Sequence, residues 1–243
     1  MKITNVKCPK SKYSVKCPYE MTPEFIIVHN TANDATAMAE VSYMLGNNNR
    51  VSFHAAVDNT RVVTGIPFNR NTFNAGDGRN GKGNRKGIAI EICYSKSGGE
   101  KFEEAEFLAA AYVAYLLKQY NWGIDKVTKH QDYSKKYCPH RTLDKGWNRF
   151  LDMVKVELSK QSEPIPEDKN EGGELEMARV YQNGSTPENV FADTKLTKKI
   201  GTLNAREKAE YLSIDNNRPL IRYKVDGTNT YKCGYVEWKG GCK

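Results

Sequence analysis

Between residues 159 and 176 the chain reads SKQSEPIPEDKNEGGELE, rich in Pro, Gly, Ser and Glu and with almost nothing to bury. A stretch of that composition cannot join a hydrophobic core and reads as a linker. It limits the chain to two folded regions, 1–158 and 177–243. Charge divides the chain at the same places: the first block is net +7, the stretch between is −4, and the last block is +5. Hydrophobic residues make up 39% of the whole and aromatic residues 10%, enough for real cores and too much for a disordered chain.

The basic blocks point to an anionic partner. Lysines are scattered and outnumber arginines about two to one, and no zinc-finger, basic-zipper or helix-turn-helix pattern accompanies them, so nucleic acid is not the expected partner. No apolar run approaches the roughly 18 residues of a membrane span. The longest, Phe107 to Leu117, contains Tyr112 and Tyr115, so no membrane insertion is expected. The opening MKITNVKCPKSKYSVKCPYE has lysines but no apolar core behind them. The expectation is therefore synthesis in the cytoplasm without a signal peptide. Six cysteines in such a chain are expected as reduced thiols, with Cys8 and Cys17 able to pair after release to the outside.

The first block alternates strand and helix signals. Phe25-Ile26-Ile27-Val28 is a short apolar run that predicts a buried strand, and GIAIEIC (87–93) predicts another. Residues 35–46 place Met38, Val41 and Leu45 at helical spacing before a Gly46-Asn47 stop. SFHAAVDNTRVVTGI reads as a hairpin about Asp58-Asn59. Long helices are predicted over 103–120, with acids in the first turn, and over 147–158, with Trp147, Phe150, Leu151, Val154 and Leu158 on one face. These elements make an α/β domain, a mixed central sheet flanked by helices. In the second block ARVYQ, EKAEYLSI, PLIRYKV and YKCGYVEW are short strand-like runs, with Asp226-Gly227 a hairpin signal. A small all-β, barrel-like domain is expected there.

There are four histidines, His29, His54, His130 and His140. His29 closes the apolar strand FIIVH, and strand ends often carry site residues in α/β sheets. His130 opens HQDYSKKYC, eight residues before Cys138. Imidazole and thiolate together suit Zn²⁺, and three protein ligands leave a fourth position for water or substrate. Each of these residues also has an ordinary structural reading. Glu91 interrupts a strand that otherwise looks buried on both faces, where a carboxylate is costly unless paired. It is either an edge-facing or salt-bridged glutamate, or a general base whose proton affinity is raised by apolar surroundings. Lys136, two residues before Cys138, is either a solvated lysine or one that reaches a developing oxyanion. The loop FNAGDGRNGKGNRKG, with its glycines and amide side chains, reads as a surface loop able to wall a glycan- or peptide-binding cleft.

Three segments, IIVHNTAN, NAGDGRNGKGNRKGIAIEICYSKSGG and KHQDYSKKYCPHRTLD, in this order, resemble the zinc-dependent N-acetylmuramoyl-L-alanine amidases of bacteriophages, bacilli and clostridia. That family shares its fold with peptidoglycan recognition proteins, and the resemblance covers roughly residues 21–158. It implies metal ligands at His29, His130 and Cys138, a catalytic glutamate at Glu91, and a catalytic lysine at Lys136. By the same alignment His54 helps build the cleft and His140 belongs to the CPHR turn, neither being a ligand. The chain departs from the pattern in two places. Phe53 stands where some members have a tyrosine, and Asn74 stands where many carry a histidine before Ala-Gly-Asp-Gly. Both departures bear on how substrate is oriented.

The activity implied is hydrolysis of the amide between the lactyl group of N-acetylmuramic acid and L-alanine in bacterial peptidoglycan. A phage or prophage endolysin fits this best, made in the host cytoplasm and acting on the wall after membrane permeabilisation. A host autolysin is the nearest alternative. A metal-free recognition protein is another, although such a protein has no need of a metal-binding thiolate. The second block resembles bacterial Src-homology-3-like wall-binding modules, through VYQNG, KIGTLNAREKAEYL and LIRYKVDGTNTYKCGYVEW. This implies a wall polymer as partner. Tyr181, Tyr211, Tyr223, Tyr231, Tyr235 and Trp238 are candidates for stacking on it, half of them expected in the core. Finally, Glu-Gly-Gly-Glu at 171–174 can be encoded as a purine-rich ribosome-binding sequence just upstream of Met177. That predicts a separate fragment starting at Met177 that associates with the full chain.

Overall fold

The computed structural model of the chain describes residues 1–160, 180–215, 218–225, 231–237 and 241–242. Most of the acidic stretch, Met177, Asp226-Gly227 and Trp238 lie outside the described residues, as does the side chain of Tyr231. Two compact units divide the chain, Met1–Asp144 and Lys145–Lys243.

In the first unit, in chain order, the elements are β1 (Ile3–Asn5), α1 (Tyr13–Lys16), β2 (Phe25–Asn30), α2 (Ala37–Gly46), β3 (Ala55–Val57), β4 (Val62–Thr64), α3 (Lys82–Lys86), β5 (Gly87–Ile92), α4 (Gly99–Gln119), β6 (Val127–Lys129) and α5 (His140–Lys145). The six strands form one mixed sheet in the order β1-β4-β3-β5-β2-β6. Only β3 and β4, the predicted hairpin, run antiparallel; the other pairs are parallel. The two apolar runs of the sequence, β2 and β5, lie side by side at the centre, which is why they lack the alternation of a half-exposed strand. Ile26, Ile27, Val28, Ile88, Ala89 and Ile90 are all fully buried, and each Ile or Val contributes about 1.5–3 kcal/mol by leaving water. Register between the two strands runs from Phe25 opposite Gly87 to His29 opposite Glu91.

The helices follow their apolar stripes. In α4 the buried residues Phe102, Ala105, Ala109, Tyr112, Val113, Leu116 and Leu117 recur at three- and four-residue steps. In α2 the Thr36 hydroxyl accepts a bond from Ala39 N at 3.2 Å and caps the first turn. No described helix is long and apolar enough to cross a membrane.

The second unit holds α6 (Trp147–Lys160) and β7 (Val180–Gln182), β8 (Glu188–Phe191), β9 (Lys199–Leu203), β10 (Lys208–Asp215), β11 (Arg218–Lys224), β12 (Tyr231–Tyr235) and β13 (Gly241–Cys242). These strands form a single antiparallel sheet in the order β13-β7-β10-β11-β12-β8-β9. Its core gathers Tyr181, Val190, Leu203, Ala209, Ile221, Tyr223 and Val236. Tyr181, Tyr223 and Tyr235 are buried, so these three candidates for stacking on a ligand serve the core instead. The Tyr181 hydroxyl donates to Glu188 and that of Tyr235 to Asp152 on α6, which satisfies two buried phenols. Tyr211 is partly buried against the same core.

Candidate metal centre

His29, the fifth residue of β2, is carried to the leaving end of the central strand pair and is buried. His130 begins a 3-10 turn, His130–Asp132, directly after β6. The Asp132 carboxylate accepts from Lys129 N at 3.0 Å and fixes the start of that turn. Gln131 N donates to the Cys138 carbonyl at 2.9 Å, tying the turn to the segment that bears the thiol. Asn30, next to His29, accepts from the backbone N–H groups of Arg141 (2.9 Å) and Thr142 (3.2 Å), and so anchors the helix that follows Cys138.

This scaffold brings together three residues that are far apart in sequence. One ligand atom each from His29, His130 and Cys138 lies within 4.8 Å of the other two. The two Nδ1 atoms are 3.0 Å apart, and Cys138 Sγ is 3.9 Å from His29 Nδ1. Tetrahedral zinc, with Zn–N bonds of about 2.0–2.1 Å and Zn–S bonds of about 2.3 Å, needs N···N edges of about 3.3 Å and N···S edges of about 3.6 Å. The two edges given, 3.0 and 3.9 Å, lie within about 0.3 Å of those values, so the residues present fit that ion with small adjustments.

The orientation of both rings is set by the loop that follows β4. Asn74 Oδ1 accepts from His29 Nε2 at 3.1 Å, while Asn74 Nδ2 donates to Thr72 Oγ1 at 2.8 Å and so fixes which way the amide faces. The Ala75 carbonyl accepts a hydrogen bond from the His130 ring. His29 thereby holds its proton on Nε2 and turns its Nδ1 lone pair toward the ring of His130. Asn84 holds this loop in place, its Oδ1 accepting from Asn74 N and Ala75 N, both at 2.8 Å. Gly76 has φ +69, and a Cβ there would stand 3.3 Å from Ser134, so the loop passes close to the ligand turn only as glycine.

Burial, the charge of His130 and that of Lys136 hold His29 well below the usual imidazole range, and burial with Lys136 brings His130 down to about 4. Both rings are neutral at pH 7, as ligands must be. Burial, with the Glu91 charge adding to it, pushes the Cys138 thiol up to about 11, whereas the Asn30 backbone N–H favours the thiolate.

Glu91 lies opposite His29 on β5 and opposite Ala56 on β3. It is not on an edge strand, and it has no salt bridge among the described residues. Its Oε2 is buried and has no hydrogen-bond partner among the described residues. Burial, then the charge of Glu40 on α2, raises its carboxyl to about 8, against the opposing pull of Lys136. Lys136 thus acts electrostatically on Glu91 and on all three candidate ligands. His54 is spent on backbone: Nδ1 accepts from Ala89 N and Nε2 donates to the Arg70 carbonyl, each at 2.9 Å. His140 Nε2 lies 3.1 Å from the Ser95 carbonyl.

The sequence had suggested neither Asn74 as a ring-orienting partner nor Glu40 as a second buried acid. Asn74 sits in a polar loop 45 residues from His29, with no periodicity to mark it. Two expectations follow. Asn74→Ala should lower zinc affinity about 10–100-fold while leaving the fold intact, measured by competition with a zinc chelator of known affinity. Wild-type affinity in that variant would remove Asn74 from the centre. The second concerns stability. A carboxyl raised from 4.5 to about 8 on folding binds more protons in the native state than in the unfolded state. Metal-free protein therefore loses stability as pH rises through that window. Glu91→Gln removes this penalty, so its melting temperature, compared with that of the wild type, should gain steadily from pH 5 to pH 8.5. A difference independent of pH would show that Glu91 is not buried as a carboxylate.

Comparison with known proteins agrees with this geometry. Residues 19–141, half of the chain, match the family model described as N-acetylmuramoyl-L-alanine amidase. The N-acetylmuramoyl-L-alanine amidase XlyB of Bacillus subtilis (strain 168) is 57% identical over 62% of this chain and 48% of its own length. The N-acetylmuramoyl-L-alanine amidase CwlA of the same organism is 53% identical over 66% of this chain and 59% of its own. The chain thus spans about half the length of these curated relatives. Among solved structures, that of the PlyG catalytic domain matches with a TM-score of 0.63 and 50% identity, over 68% of this chain and 100% of that one. From residue 19 through the CPHR turn, and with the three candidate ligands gathered in its fold, the chain belongs to the N-acetylmuramoyl-L-alanine amidase family.

Proposed function

We propose that this protein is a zinc-dependent N-acetylmuramoyl-L-alanine amidase that acts on bacterial peptidoglycan as a phage or prophage endolysin. The observation that carries the reading is the meeting of His29, His130 and Cys138 within 4.8 Å, beside a buried Glu91 oxygen on the neighbouring strand that has no hydrogen-bond partner among the described residues. His29, His130 and Cys138 would hold the ion, three protein ligands being the set that leaves it open to water or substrate. Zinc, when bound, supplies Lewis acidity to the amide carbonyl and the attacking water. Glu91 accepts the proton of that water and delivers it to the departing alanine nitrogen. Lys136 offers its ammonium to the negative charge that develops on the carbonyl oxygen. One water is consumed, giving a lactyl carboxylate and a free L-alanine amino group.

The organisation proposed is a catalytic region over 1–158, a linker over 159–176 and a wall-binding region over 177–243. The antiparallel sheet of the second unit and its basic sequence support a Src-homology-3-like, barrel-type module that engages an anionic wall polymer. Digestion of purified Gram-positive peptidoglycan, scored for new amino groups against new reducing sugars, tests the activity. Release of L-alanine amino termini that stops with a zinc chelator, without reducing ends, is the result expected. Reducing ends would mean a glycosidase, and tight binding without cleavage would mean a recognition protein.

A further inference from the structure

At the entering ends of β2 and β5 the first unit has a recess of about 620 Å³, lined by Thr22, Asn69, Asn80, Arg85, Lys86 and Glu20, among others. It is not the metal centre. The register places Gly87 and Phe25 at this end and Glu91 and His29 at the other, four residues along, or about 13 Å at about 3.3 Å per residue.

The cations around it are arranged by one ring. Tyr19 is pinned by its backbone, whose N donates to Asn71 Oδ1 at 2.8 Å and whose carbonyl accepts from Asn71 N at 2.9 Å. Arg85 lies over the Tyr19 ring with Cζ 4.2 Å from its centroid, and Arg79 lies over it at 5.2 Å. Arg79 Nε donates to the Tyr19 hydroxyl. Arg85 Nε is buried and has no hydrogen-bond partner among the described residues, and neither arginine has a carboxylate within ion-pair distance there. The nearby acids are engaged elsewhere. Asp77 accepts from Gly83 N (2.6 Å) and Asn84 N (3.3 Å), and Glu24 pairs with Lys86 at 2.9 Å. Glu20 lines the recess but is largely exposed and lies 4.0 Å from Arg70. The side-chain amides of Asn69 and Asn80 make no hydrogen bond among the described residues, so their donors are unspent as well.

A buried guanidinium N–H without an acceptor is costly unless a ligand supplies one. A guanidinium held over an aromatic ring, with neutral amide donors around it, matches an oxyanion with several acceptor oxygens. We propose that this recess binds a phosphodiester of an anionic wall polymer, anchoring the catalytic unit to the wall through a contact separate from the metal centre. The polymer's identity rests on the function proposed above; the oxyanion site does not. A repeating polymer suits an open recess on a basic surface, and it leaves the metal centre free to work along neighbouring strands of glycan.

The test uses the full chain and purified poly(glycerol phosphate), with Arg85→Gln and, in case that variant folds poorly, the exposed Arg79→Gln. Each variant should bind the polymer about tenfold more weakly than the wild type, with a shallower dependence on salt. Of the loop that follows β4 only Asn74 and Ala75 hydrogen-bond to the candidate ligands, whereas Arg79 and Arg85 lie on Tyr19, so amide cleavage of a soluble, phosphate-free muropeptide should be unchanged. On whole walls the variants should be slower, and that deficit should vanish on walls stripped of phosphodiesters by hydrofluoric acid. Equal polymer binding by wild type and both variants would overturn the proposal. So would a deficit that persists on stripped walls, which would assign the recess to a peptide carboxylate. A chain that binds polymer through Arg85 but cleaves no amide would fail as an amidase and leave this site standing.

Discussion

Glu91→Gln is expected to lower turnover by about 10³-fold while zinc content and fold remain as in the wild type. General acid–base groups contribute about 10²–10⁴-fold, and Glu91 is proposed to serve twice in one cycle, as base toward water and as acid toward the leaving nitrogen. Glutamine is nearly isosteric and keeps an oxygen near the site but cannot take a proton. The position of Glu91 makes it suited to the task. Burial and the charge of Glu40 raise its proton affinity, and Lys136 opposes them. Its Oε2 is not engaged by any other donor among the described residues. Because the same substitution is expected to stabilise the metal-free protein at alkaline pH, a loss of rate cannot be assigned to unfolding. Steady-state release of L-alanine amino termini, with metal content measured on the same sample, checks it. Activity within tenfold of the wild type would remove Glu91 from the proton transfers.

What the sequence revealed depended on how local each signal was. The two central strands were legible because a strand covered on both faces reads as an unbroken apolar run, as Phe25–Val28 and Gly87–Cys93 do. The long helix α4 announced itself by its period. The strand β1, Ile-Thr-Asn, did not: it is three residues long, half exposed, and exists because it pairs in parallel with β4 some 59 positions away. The strands β8 and β9 were likewise too polar to call out alone, and their pairing supplies what their composition lacks. At the site, residue chemistry left His29, Glu91 and Cys138 ambiguous, each with an ordinary structural alternative. For Glu91 the alternative was an edge position or a salt bridge, and the central place of β5 excludes the first. Asn74 illustrates the limit most clearly. In the sequence it is a departure in a glycine-rich loop that bears on substrate orientation; in the fold it is the acceptor that fixes the tautomer of His29.

Cys138→Ser is the counterpart of the glutamate substitution, and its expected effect falls on the metal. A structural zinc site is worth about 10–16 kcal/mol at neutral pH, so one ligand of three or four carries about 4 kcal/mol, or about 10³-fold in affinity. Serine fills nearly the same space but does not ionise at neutral pH and is a poor partner for zinc beside two imidazoles. Cys138 is buried, and its neighbour Asn30 remains to hold the segment through Arg141 and Thr142, so the fold should survive the exchange. Zinc binding to the native state adds stability in proportion to the logarithm of its affinity. The rise in melting temperature on adding zinc should therefore shrink in this variant, while the metal-free melting temperature stays close to that of the wild type. Metal analysis after equilibration in a zinc buffer completes the measurement, and a full complement of zinc at wild-type affinity would remove Cys138 from the ligand set. Together the two variants separate the roles that geometry assigns to neighbouring residues. Glu91→Gln should hold zinc and not turn over, whereas Cys138→Ser should fail to turn over because it does not hold zinc. If both variants lost zinc, Glu91 would be supporting the ligands rather than moving protons, and the assignment of the base would have to pass to another residue.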